Sequence, residues 1–427
     1  MFFTFIFILL ITNSCREKDS WEDYMLHENI NRIKAVATLP SGEIIVIGYV
    51  IRDDGNGPSI AIVKYQENGL IDPDFGEEGV VFTDRQLSSF ESLVCHVAIT
   101  NEGSIIFTAS NTPESGEPES FIARYSADGN IDNSFGNMGV KKYTSVAIYC
   151  LGLMDNNNIL ISGTKSFETS HKSFFVSKLD QTGQEVAEFG SDGTASFDFN
   201  PFNTNCVYQK VQDDGKILLI GNTDENQNVV PMLRLHPDGN LDTTFSGDGK
   251  LLADMGYDLD GNICINNTDD DKYLLLSKID YDDLLFAKIN QNGSLDSEFG
   301  QEGIAVNMCC PDNPVSARSV FVRGNEGFIV LGRESKRVVI ADVLPNGQLN
   351  GAFGENGIVS YNYEDFNSVR KLSVIESYEK IIVTGELDVY YNYGLDQDTD
   401  FFIMRFNEDG TIDSSFGDEG VVISDIR

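Results

Sequence analysis

Short apolar runs separated by polar turn residues recur along almost the whole chain. In the second unit they occupy residues 93–99, 104–108, 121–125 and 140–143, and each run is rich in β-branched and aromatic residues. Dipeptides such as Asp128-Gly129 lie between the runs and supply the positive φ angles that tight hairpins need. The pattern predicts four antiparallel strands per unit, and no stretch of useful length has a helical period.

A motif built on Phe-Gly occurs seven times between these strands, with one Gly six positions before the Phe and another four positions after it. The anchoring residues are Phe75, Phe135, Phe189, Phe245, Phe299, Phe353 and Phe416. Their spacings of 60, 54, 56, 54, 54 and 63 residues predict a repeat architecture. One four-stranded sheet of this size cannot bury both faces, so we expect an all-β, seven-bladed β-propeller of four-stranded antiparallel blades.

The repeat also sets the expected domain organisation. The predicted blades are residues 29–84, 85–144, 145–198, 199–254, 255–308, 309–362 and 363–427. They form one domain, because no linker separates the units. Complete units at both ends predict that the first and last blades close the ring by packing sheet against sheet.

The recurring residues have expected structural roles. The glycines allow backbone conformations that a Cβ would forbid, and each Phe seals its turn against a neighbouring blade. Asp lies three positions before the Phe in five units, and Lys or Arg lies eleven positions before it in six. We expect these residues to pair, as Arg234 would with Asp242. Calcium at the aspartates is the competing interpretation, but a neighbouring cation is unfavourable to such a site.

The motif resembles the D-G-x-L-D-x-S-F-G-x-x-G signature of the delta-60 repeat β-propeller family of bacterial exported proteins. It is legible in all seven units, from about residue 29 to the end of the chain, and is most degenerate around Phe189. The resemblance implies a propeller and export. It implies no activity, because the family itself has none assigned.

The charge of the chain narrows its possible partners. A formal net charge of -37 repels nucleic acid and anionic bilayers at long range. An unknown protein or glycan ligand remains open, and a monomer is expected.

The amino terminus resembles a lipoprotein signal. Nine of the first ten side chains are apolar, and Cys15 follows Ser14 directly. We therefore expect a signal peptide over residues 1–15, lipidation of Cys15, a charged tether over 16–28, and an outer-membrane lipoprotein that faces the periplasm or the cell surface. Thr12 departs from the usual lipobox, so plain secretion and a cytosolic product stay open as alternatives. The lipid anchor would be the only contact with the membrane.

The remaining cysteines and the histidines offer no recognisable catalytic motif. Cys95, Cys150, Cys206 and Cys264 follow the repeat period and are expected to be buried thiols, whereas the adjacent Cys309 and Cys310 could form a strained disulfide. The four histidines show no metal-ligand spacing, and no nucleophile motif is present. No catalytic residue is assigned.

Ligand binding in propellers tends to occur in segments that break the repeat. Residues 387–400 form the first such segment, predicted as a loop. Its candidate ligand residues are Tyr390, Tyr391, Tyr393, Asp396, Asp398 and Asp400. Residues 111–120 form a second, predicted as a flexible spur. No cofactor is expected, although calcium at the alternating aspartates remains open.

These features predict a non-catalytic binding or interaction module at the cell surface. A glycan-acting hydrolase or lyase with its site at one mouth of the ring is the first alternative. A purely structural scaffold is the second. The sequence does not identify the ligand.

Overall fold

The structure, a computed structural model, covers most of the repeats. It describes residues 31–52, 57–83, 94–111, 117–154, 157–166, 171–224, 228–259, 263–268, 272–279, 284–306, 316–323, 327–334, 337–344, 348–362, 368–377, 380–391 and 396–424. Cys15, the signal peptide, the tether, Tyr393, Cys309 and Cys310 lie outside these residues.

Four strands form each of the first four blades. Blade 1 comprises β1 (Asn31–Thr38), β2 (Ile44–Arg52), β3 (Gly57–Tyr65) and β4 (Val80–Thr83). Blade 2 comprises β5 (Val94–Ile99), β6 (Ile105–Asn111), β7 (Glu119–Tyr125) and β8 (Val140–Thr144). Blade 3 comprises β9 (Val146–Leu153), β10 (Ile159–Ser166), β11 (Lys172–Leu179) and β12 (Thr194–Phe197). Blade 4 comprises β13 (Thr204–Val211), β14 (Ile217–Thr223), β15 (Val229–Leu235) and β16 (Lys250–Asp254).

The last three blades repeat the arrangement. Blade 5 comprises β17 (Ile263–Asn267), β18 (Tyr273–Lys278), β19 (Leu284–Ile289) and β20 (Ile304–Val306). Blade 6 comprises β21 (Ser316–Val322), β22 (Phe328–Glu334), β23 (Arg337–Val343) and β24 (Ile358–Asn362). Blade 7 comprises β25 (Ser368–Ser377), β26 (Lys380–Tyr391), β27 (Asp396–Asn407) and β28 (Val421–Ser424). Every sheet is an antiparallel meander in chain order.

The predicted fold class is therefore confirmed: the protein is an all-β propeller of seven four-stranded blades. The strands of blade 2 match the predicted runs but extend further, because β6 continues through Ser110 to Asn111. Both residues are buried, and the Ser110 and Ser120 hydroxyls are 2.7 Å apart. Partnered polar groups can continue a strand that a hydrophobic pattern would end.

The first strand of each blade lies nearest the propeller axis. First strands of neighbouring blades, such as β1 and β5, β5 and β9, or β21 and β25, approach within 8 Å between Cα atoms. Side chains along β13 are mostly half-buried, whereas those of the adjacent β14 are almost all buried. The same contrast separates β5 from β6. The first strands therefore border a water-accessible space, called here the axial channel.

Blades 1 and 7 close the ring by direct packing of their sheets. Ile33 and Val46 of blade 1 belong to one buried cluster with Ile382 and Phe401 of blade 7. The Tyr65 hydroxyl donates a buried hydrogen bond of 2.7 Å to Ser424. Each of these two sheets is built from one continuous stretch of chain, so no blade is shared between the two termini.

Strand order divides the connections between two faces of the ring. Because consecutive strands are antiparallel, the turns between first and second strands and between third and fourth strands lie on one face. This face carries the seven Phe-Gly motifs and is called the motif face. The hairpins between second and third strands and the crossings between blades lie on the other, called the hairpin face.

Candidate functional site

On the motif face, each Phe of the motif plugs the junction with the next blade. All seven are buried. Phe245 of blade 4 lies against Gly293 of blade 5, whose φ is +90°. A Cβ on Gly293 would come within 2.7 Å of the Phe245 ring, so a larger side chain would displace the aromatic plug.

A backbone hydrogen bond accompanies the plug at several junctions. The amide of Gly190 donates to the carbonyl of Asp238 in the next blade at 2.8 Å. The same bond closes the ring, where the amide of Gly417 in blade 7 donates to the carbonyl of Asn68 in blade 1 at 2.8 Å. The plugs, these bonds and the ion pairs described next form an interblade belt.

The expected Asp and basic pair is confirmed in five blades. The ion pairs are Lys64–Asp72, Arg124–Asp132, Arg234–Asp242, Lys288–Asp296 and Arg405–Asp413.

The contacts of Arg234 explain why a basic residue recurs at this position of the motif. Its Nε donates to Asp242 Oδ2 at 2.7 Å, and its Nη1 donates to the carbonyl of Gln291 in the next blade at 2.7 Å. Its guanidinium carbon lies 5.2 Å from the centre of the Phe245 ring. Arg405 of blade 7 donates in the same way to the carbonyl of Glu67 in blade 1. The motif Arg thus contacts the motif Asp, the motif Phe and the backbone of the neighbouring blade.

The environment of these aspartates favours the charged form. Burial raises the pKa of Asp242, but hydrogen bonds from Thr244 and Arg234 outweigh it and hold the pKa well below its ordinary value. At Asp413, burial is likewise outweighed by hydrogen bonds from Ser415 and Lys380 and by the charge of Arg405, so its pKa is also strongly lowered.

Blade 6 uses a different pair at the same place. Asp342 replaces the motif base and Asn350 replaces the acid. The Asn350 amide donates to Asp342 Oδ2 at 2.9 Å, and Arg323 lies 3.2 Å from the same oxygen. The cation thus comes from the end of β21, which sequence spacing alone did not indicate.

On the hairpin face, blade 7 differs most from the others. Residues 387–400 were predicted to be a loop, but the structure corrects this: all described residues of the segment belong to β26 or β27. The register pairs Tyr391 with Asp396 and Tyr390 with Gln397. Val389 and Tyr390 favour strands, and hairpin pairing overrides the low strand propensity of the aspartates.

The register also places the other aspartates in this hairpin. Asp398 is opposite Val389, and Asp400 is opposite Leu387, so the three acids occupy alternate positions of one strand. Asp400 is buried. The hairpin brings five of the six candidate residues into one element.

The predicted spur of blade 2 is also partly strand. Asn111 ends β6, while Glu119 and Ser120 begin β7, so the hairpin there is tighter than the sequence suggested. Residues 112–116 lie outside the described part of the chain.

The axial channel has a feature that the sequence analysis missed. Five first strands contain a β-bulge, and all five lie at a similar height in the ring. In blade 1 the register passes from Ile33–Gly48 to Ala35–Ile47, which leaves Lys34 as the extra residue. Bulges also involve Tyr149, Val207, Arg318, and the pair Lys371 and Leu372.

A glycine in the second strand accompanies every bulge. In blade 3, a Cβ on Gly163 would lie 1.9 Å from the carbonyl oxygen of Ala147, so only glycine fits beside the bulged strand. The corresponding residues are Gly48, Gly221, Gly332 and Gly385. These glycines are the sequence signal that could have revealed the bulges.

Histidines and thiols form no reactive centre among the described residues. His96, His171 and His236 lie in three different blades, and burial lowers the pKa of His96 to about 4. Cys95, Cys150 and Cys206 are free and buried, as predicted. Burial raises the pKa of the Cys95 thiol to about 12, which makes it unreactive.

Neither a metal cluster nor a membrane span is found within the described ranges. No group of three or more His, Cys, Asp or Glu side chains there is arranged to hold an ion. That part of the chain also contains no helix with the length and apolar character needed to cross a bilayer.

Four segments match one protein family, described as "Domain of unknown function (DUF5122) beta-propeller". The matched residues are 39–75, 103–135, 212–245 and 380–416, and each segment ends at an anchoring Phe. With seven blades observed, the match supports membership of a propeller family. None of the curated protein sequences matches this chain significantly.

Several solved structures share the propeller fold at low identity. Prolyl oligopeptidase B from Galerina marginata is 12% identical with a TM-score of 0.52, covering 95% of this chain but 52% of that enzyme. The propeller domain of the Trilobed protease from Pyrococcus furiosus is 12% identical (TM-score 0.47, 89% and 95% covered). A polysaccharide lyase, an ulvanlyase, is also 12% identical (TM-score 0.47, 93% and 97% covered). These likenesses concern the fold alone.

Proposed function

We propose that this protein is a non-catalytic binding propeller that contacts its ligand on the hairpin face, chiefly through the β26–β27 hairpin. The observation that supports this most is the length of the hairpin. Counted from the pair that lies ten residues before the anchoring Phe, blade 7 has eleven residue pairs, from Ile381–Phe406 to Tyr391–Asp396. Blade 1 has nine and blade 2 has seven.

The extra pairs carry the hairpin beyond its neighbours. At roughly 3.3 Å per residue, blade 7 extends about 7 Å past blade 1 and about 13 Å past blade 2. The extra pairs lie beyond the ends of the neighbouring hairpins, so ligand contact is a better reason for their presence than packing between blades. A paired hairpin backbone also loses less entropy on binding than a free loop would.

The residues on the hairpin suit a glycan or a peptide. Tyr390 and Tyr391 offer aromatic surface for stacking, and the carboxylates of Asp396 and Asp398 can accept hydrogen bonds from sugar hydroxyls or pair with cationic groups. The proposed ligand is therefore a protein or glycan, and the site needs no cofactor. Calcium bridging through the aspartates is tested by a chelator.

The cellular location is part of the proposal. The apolar amino terminus and Cys15 support an exported lipoprotein, held at the outer membrane by its lipid and facing the periplasm or the cell surface. Labelled palmitate should enter the wild-type protein and not the Cys15→Ser variant, which should be released in soluble form. Equal labelling of both would refute the anchor.

The binding site is tested by shortening the hairpin. Residues 389–398 are replaced by Asn-Gly, which joins Asp388 to Thr399 through a two-residue turn. The full chain and this variant are compared on glycan and peptide arrays, with and without a chelator. A matched control replaces residues 112–116 of blade 2 by Asn-Gly.

The proposal expects the wild type and the control to bind the same probes and the shortened chain to lose them. Identical array profiles for all three proteins would contradict it. Cleavage of an arrayed polysaccharide, seen as new reducing ends or unsaturated products, would instead establish the hydrolase or lyase alternative. Absence of binding to every probe would favour a structural scaffold.

A further inference from the structure

The outer edge of blade 2 differs in charge from the corresponding edges of the other blades. Fourth strands lie on the outside of the ring, and β8 reads Val-Lys-Lys-Tyr-Thr over residues 140–144. The six other fourth strands contain a single basic residue, Lys250. Lys141 pairs with Glu185 of blade 3, whereas Lys142 is exposed and forms no ion pair with any described side chain. The edge of β8 is therefore locally positive on a chain whose net charge is -37.

The motif turn that precedes β8 carries no acid beside this edge. Three positions after its anchoring Phe, blade 2 has Met138, whose side chain is 70% exposed. The six other motifs have five acids and one amide at that position: Glu78, Asp192, Asp248, Glu302, Glu419 and Asn356. A carboxylate beside a strand edge repels an approaching anionic chain, and blade 2 lacks this repulsion.

An open pocket of about 380 Å³ adjoins the edge of β8. Its lining includes Asn137, Lys141 and Lys142 of blade 2 and Gly183 and Gln184 of blade 3. A molecule that lies along β8 can therefore place a side chain between the two blades.

The side chain of Lys141 explains why the pocket is there. The residues at the same position of blades 1, 4, 6 and 7 are Val81, Leu251, Val359 and Val422. Each packs against the turn glycine of the next blade so closely that a Cβ on that glycine would come within 2.9 Å of it. At Gly183 the atoms nearest to such a Cβ belong to Phe135 and Gly136 instead, since Lys141 turns to Glu185. The cleft that an apolar side chain fills at four junctions is thus left open here.

The backbone of Lys142 faces outward at this edge. The Arg124 amide donates to the Gly139 carbonyl at 3.2 Å, which marks that pair as a hydrogen-bonded one. Alternation along the ladder then turns the backbone groups of Val140 and Lys142 away from β7. Val140 exchanges hydrogen bonds on that side with Asn137. No backbone hydrogen bond among the described residues uses the outward groups of Lys142, so one more strand can pair there.

We propose that β8 binds an acidic, extended peptide of a protein partner by strand addition. The added strand exchanges backbone hydrogen bonds with Lys142, and one of its carboxylates lies beside the Lys142 ammonium. The next side chain of the peptide enters the pocket beside Lys141. Charged side chains on an edge strand oppose pairing with neutral or like-charged strands, so the two lysines select an acidic one.

The acidity of the whole chain does not prevent this contact. Charges farther than about 8 Å from the bound peptide are largely screened at physiological ionic strength, so the nearby lysines dominate. A peptide is favoured over a sulfated glycan because only a peptide satisfies the outward N–H and C=O groups in the pattern of a sheet. The edge of β8 lies on a different blade from the β26–β27 hairpin and does not depend on the function proposed above.

Fluorescence anisotropy on the full chain tests the site with a labelled hexapeptide of alternating valine and glutamate. Its glutamates share one face of an extended strand, where they meet Lys142, and its valines face the pocket. The hexapeptide should bind saturably, and hydrogen exchange of residues 140–144 should slow when it is bound. The fully N-methylated hexapeptide keeps the charges but has no N–H donors, so it should not bind.

Three variants of β8 and one control locate the contact. Lys142→Glu should weaken binding about tenfold, because like charges then lie opposite each other, and Lys142→Arg should keep the affinity. Thr144→Pro keeps both lysines and blocks the outward edge, so it should also weaken binding about tenfold. Ser360→Glu is the matched control, at the exposed position of β24 that corresponds to Lys142, and should change nothing.

The absence of saturable binding would overturn the proposal, as would equal binding of the N-methylated hexapeptide or an equal loss in Ser360→Glu. A heparin hexasaccharide that binds through Lys142 when the hexapeptide does not would assign the edge to a sulfated glycan and refute strand addition. Should Thr144→Pro fail to fold, the Lys142 pair of variants still decides.

The two proposals fail separately. Replacing residues 389–398 by Asn-Gly should leave binding of the valine-glutamate hexapeptide intact. Lys142→Glu should keep the array probes that the shortened chain loses. Loss of hexapeptide binding in the hairpin variant would place the peptide on the hairpin and refute the site on β8.

Discussion

The motif face and the hairpin face are built from the same strands, yet they differ in what repeats. On the motif face, blade after blade presents a buried Phe to the next blade, and the junction of blades 7 and 1 uses the same contacts as the others. On the hairpin face, the pairing of the second and third strands ranges from four residue pairs in blade 4 to twelve in blade 7. The contacts that recur from blade to blade hold the ring closed, and the hairpins that differ between blades are available for ligand binding.

The largest effect is expected from the aromatic plug. Phe245→Ala should lower the free energy of unfolding by about 3–5 kcal/mol, because it leaves a cavity between blades 4 and 5. Guanidinium titration measures the change. Leu252→Ala, at a side chain that is 39% exposed in the same blade, should cost far less. Equal losses would mean that the belt is no more important than the outer surface.

A somewhat smaller effect is expected from the buried ion pair. Asp242→Asn should cost about 3 kcal/mol, because it leaves the Arg234 guanidinium buried beside a neutral amide. The same titration applies, with Glu188→Gln as the control at an exposed carboxylate. If Asp242→Asn lowers the free energy of unfolding no more than Glu188→Gln does, the hydrogen bond to the carbonyl of Gln291 alone holds the Arg234 side chain.

Acid should weaken the motif face in a defined direction. Asp242 and Asp413 have folded-state pKa values below that of an unfolded Asp, about 3.9. Their contribution is therefore complete above about pH 5 and is lost as pH falls through 3.9 toward the folded values. Unfolding free energies measured from pH 6 to pH 2 should fall less steeply in Asp242→Asn than in the wild type. Parallel curves would contradict this.

The smallest change in stability is expected on the hairpin face. Replacing residues 389–398 by Asn-Gly should alter the free energy of unfolding by only about 0.5 kcal/mol, because Leu387 and the buried part of the hairpin are kept. Thermal and guanidinium unfolding check this. A loss as large as that of Phe245→Ala would show that the hairpin supports the ring and would erase the contrast between the faces.

The two faces also differ in how far sequence could predict them. The plug, the turn glycines and the Arg234–Asp242 pair recur at fixed spacing, so the motif face could be deduced before any coordinates. The hairpin of blade 7 is predicted as a loop because residues 387–400 break the repeat. The pairing of Asp396, Asp398 and Asp400 depends on the partner strand, which the sequence of one strand does not show.

The axial bulges were harder to foresee. A bulge is a property of register between two strands, and neither strand alone reveals that Lys34 is an extra residue. Gly48 and its counterparts were the available clue, but a lone glycine in a strand has several explanations.

Hydrogen exchange on the full chain tests most directly whether the belt closes the ring. Peptides that contain Gly417, whose amide donates across the junction of blades 7 and 1, should exchange as slowly as those that contain Gly190, whose amide donates across the junction of blades 3 and 4. Both should exchange much more slowly than peptides from the tip of the blade 7 hairpin. Rapid exchange at the junction of blades 7 and 1, with protection at the other junction, would contradict a closed ring.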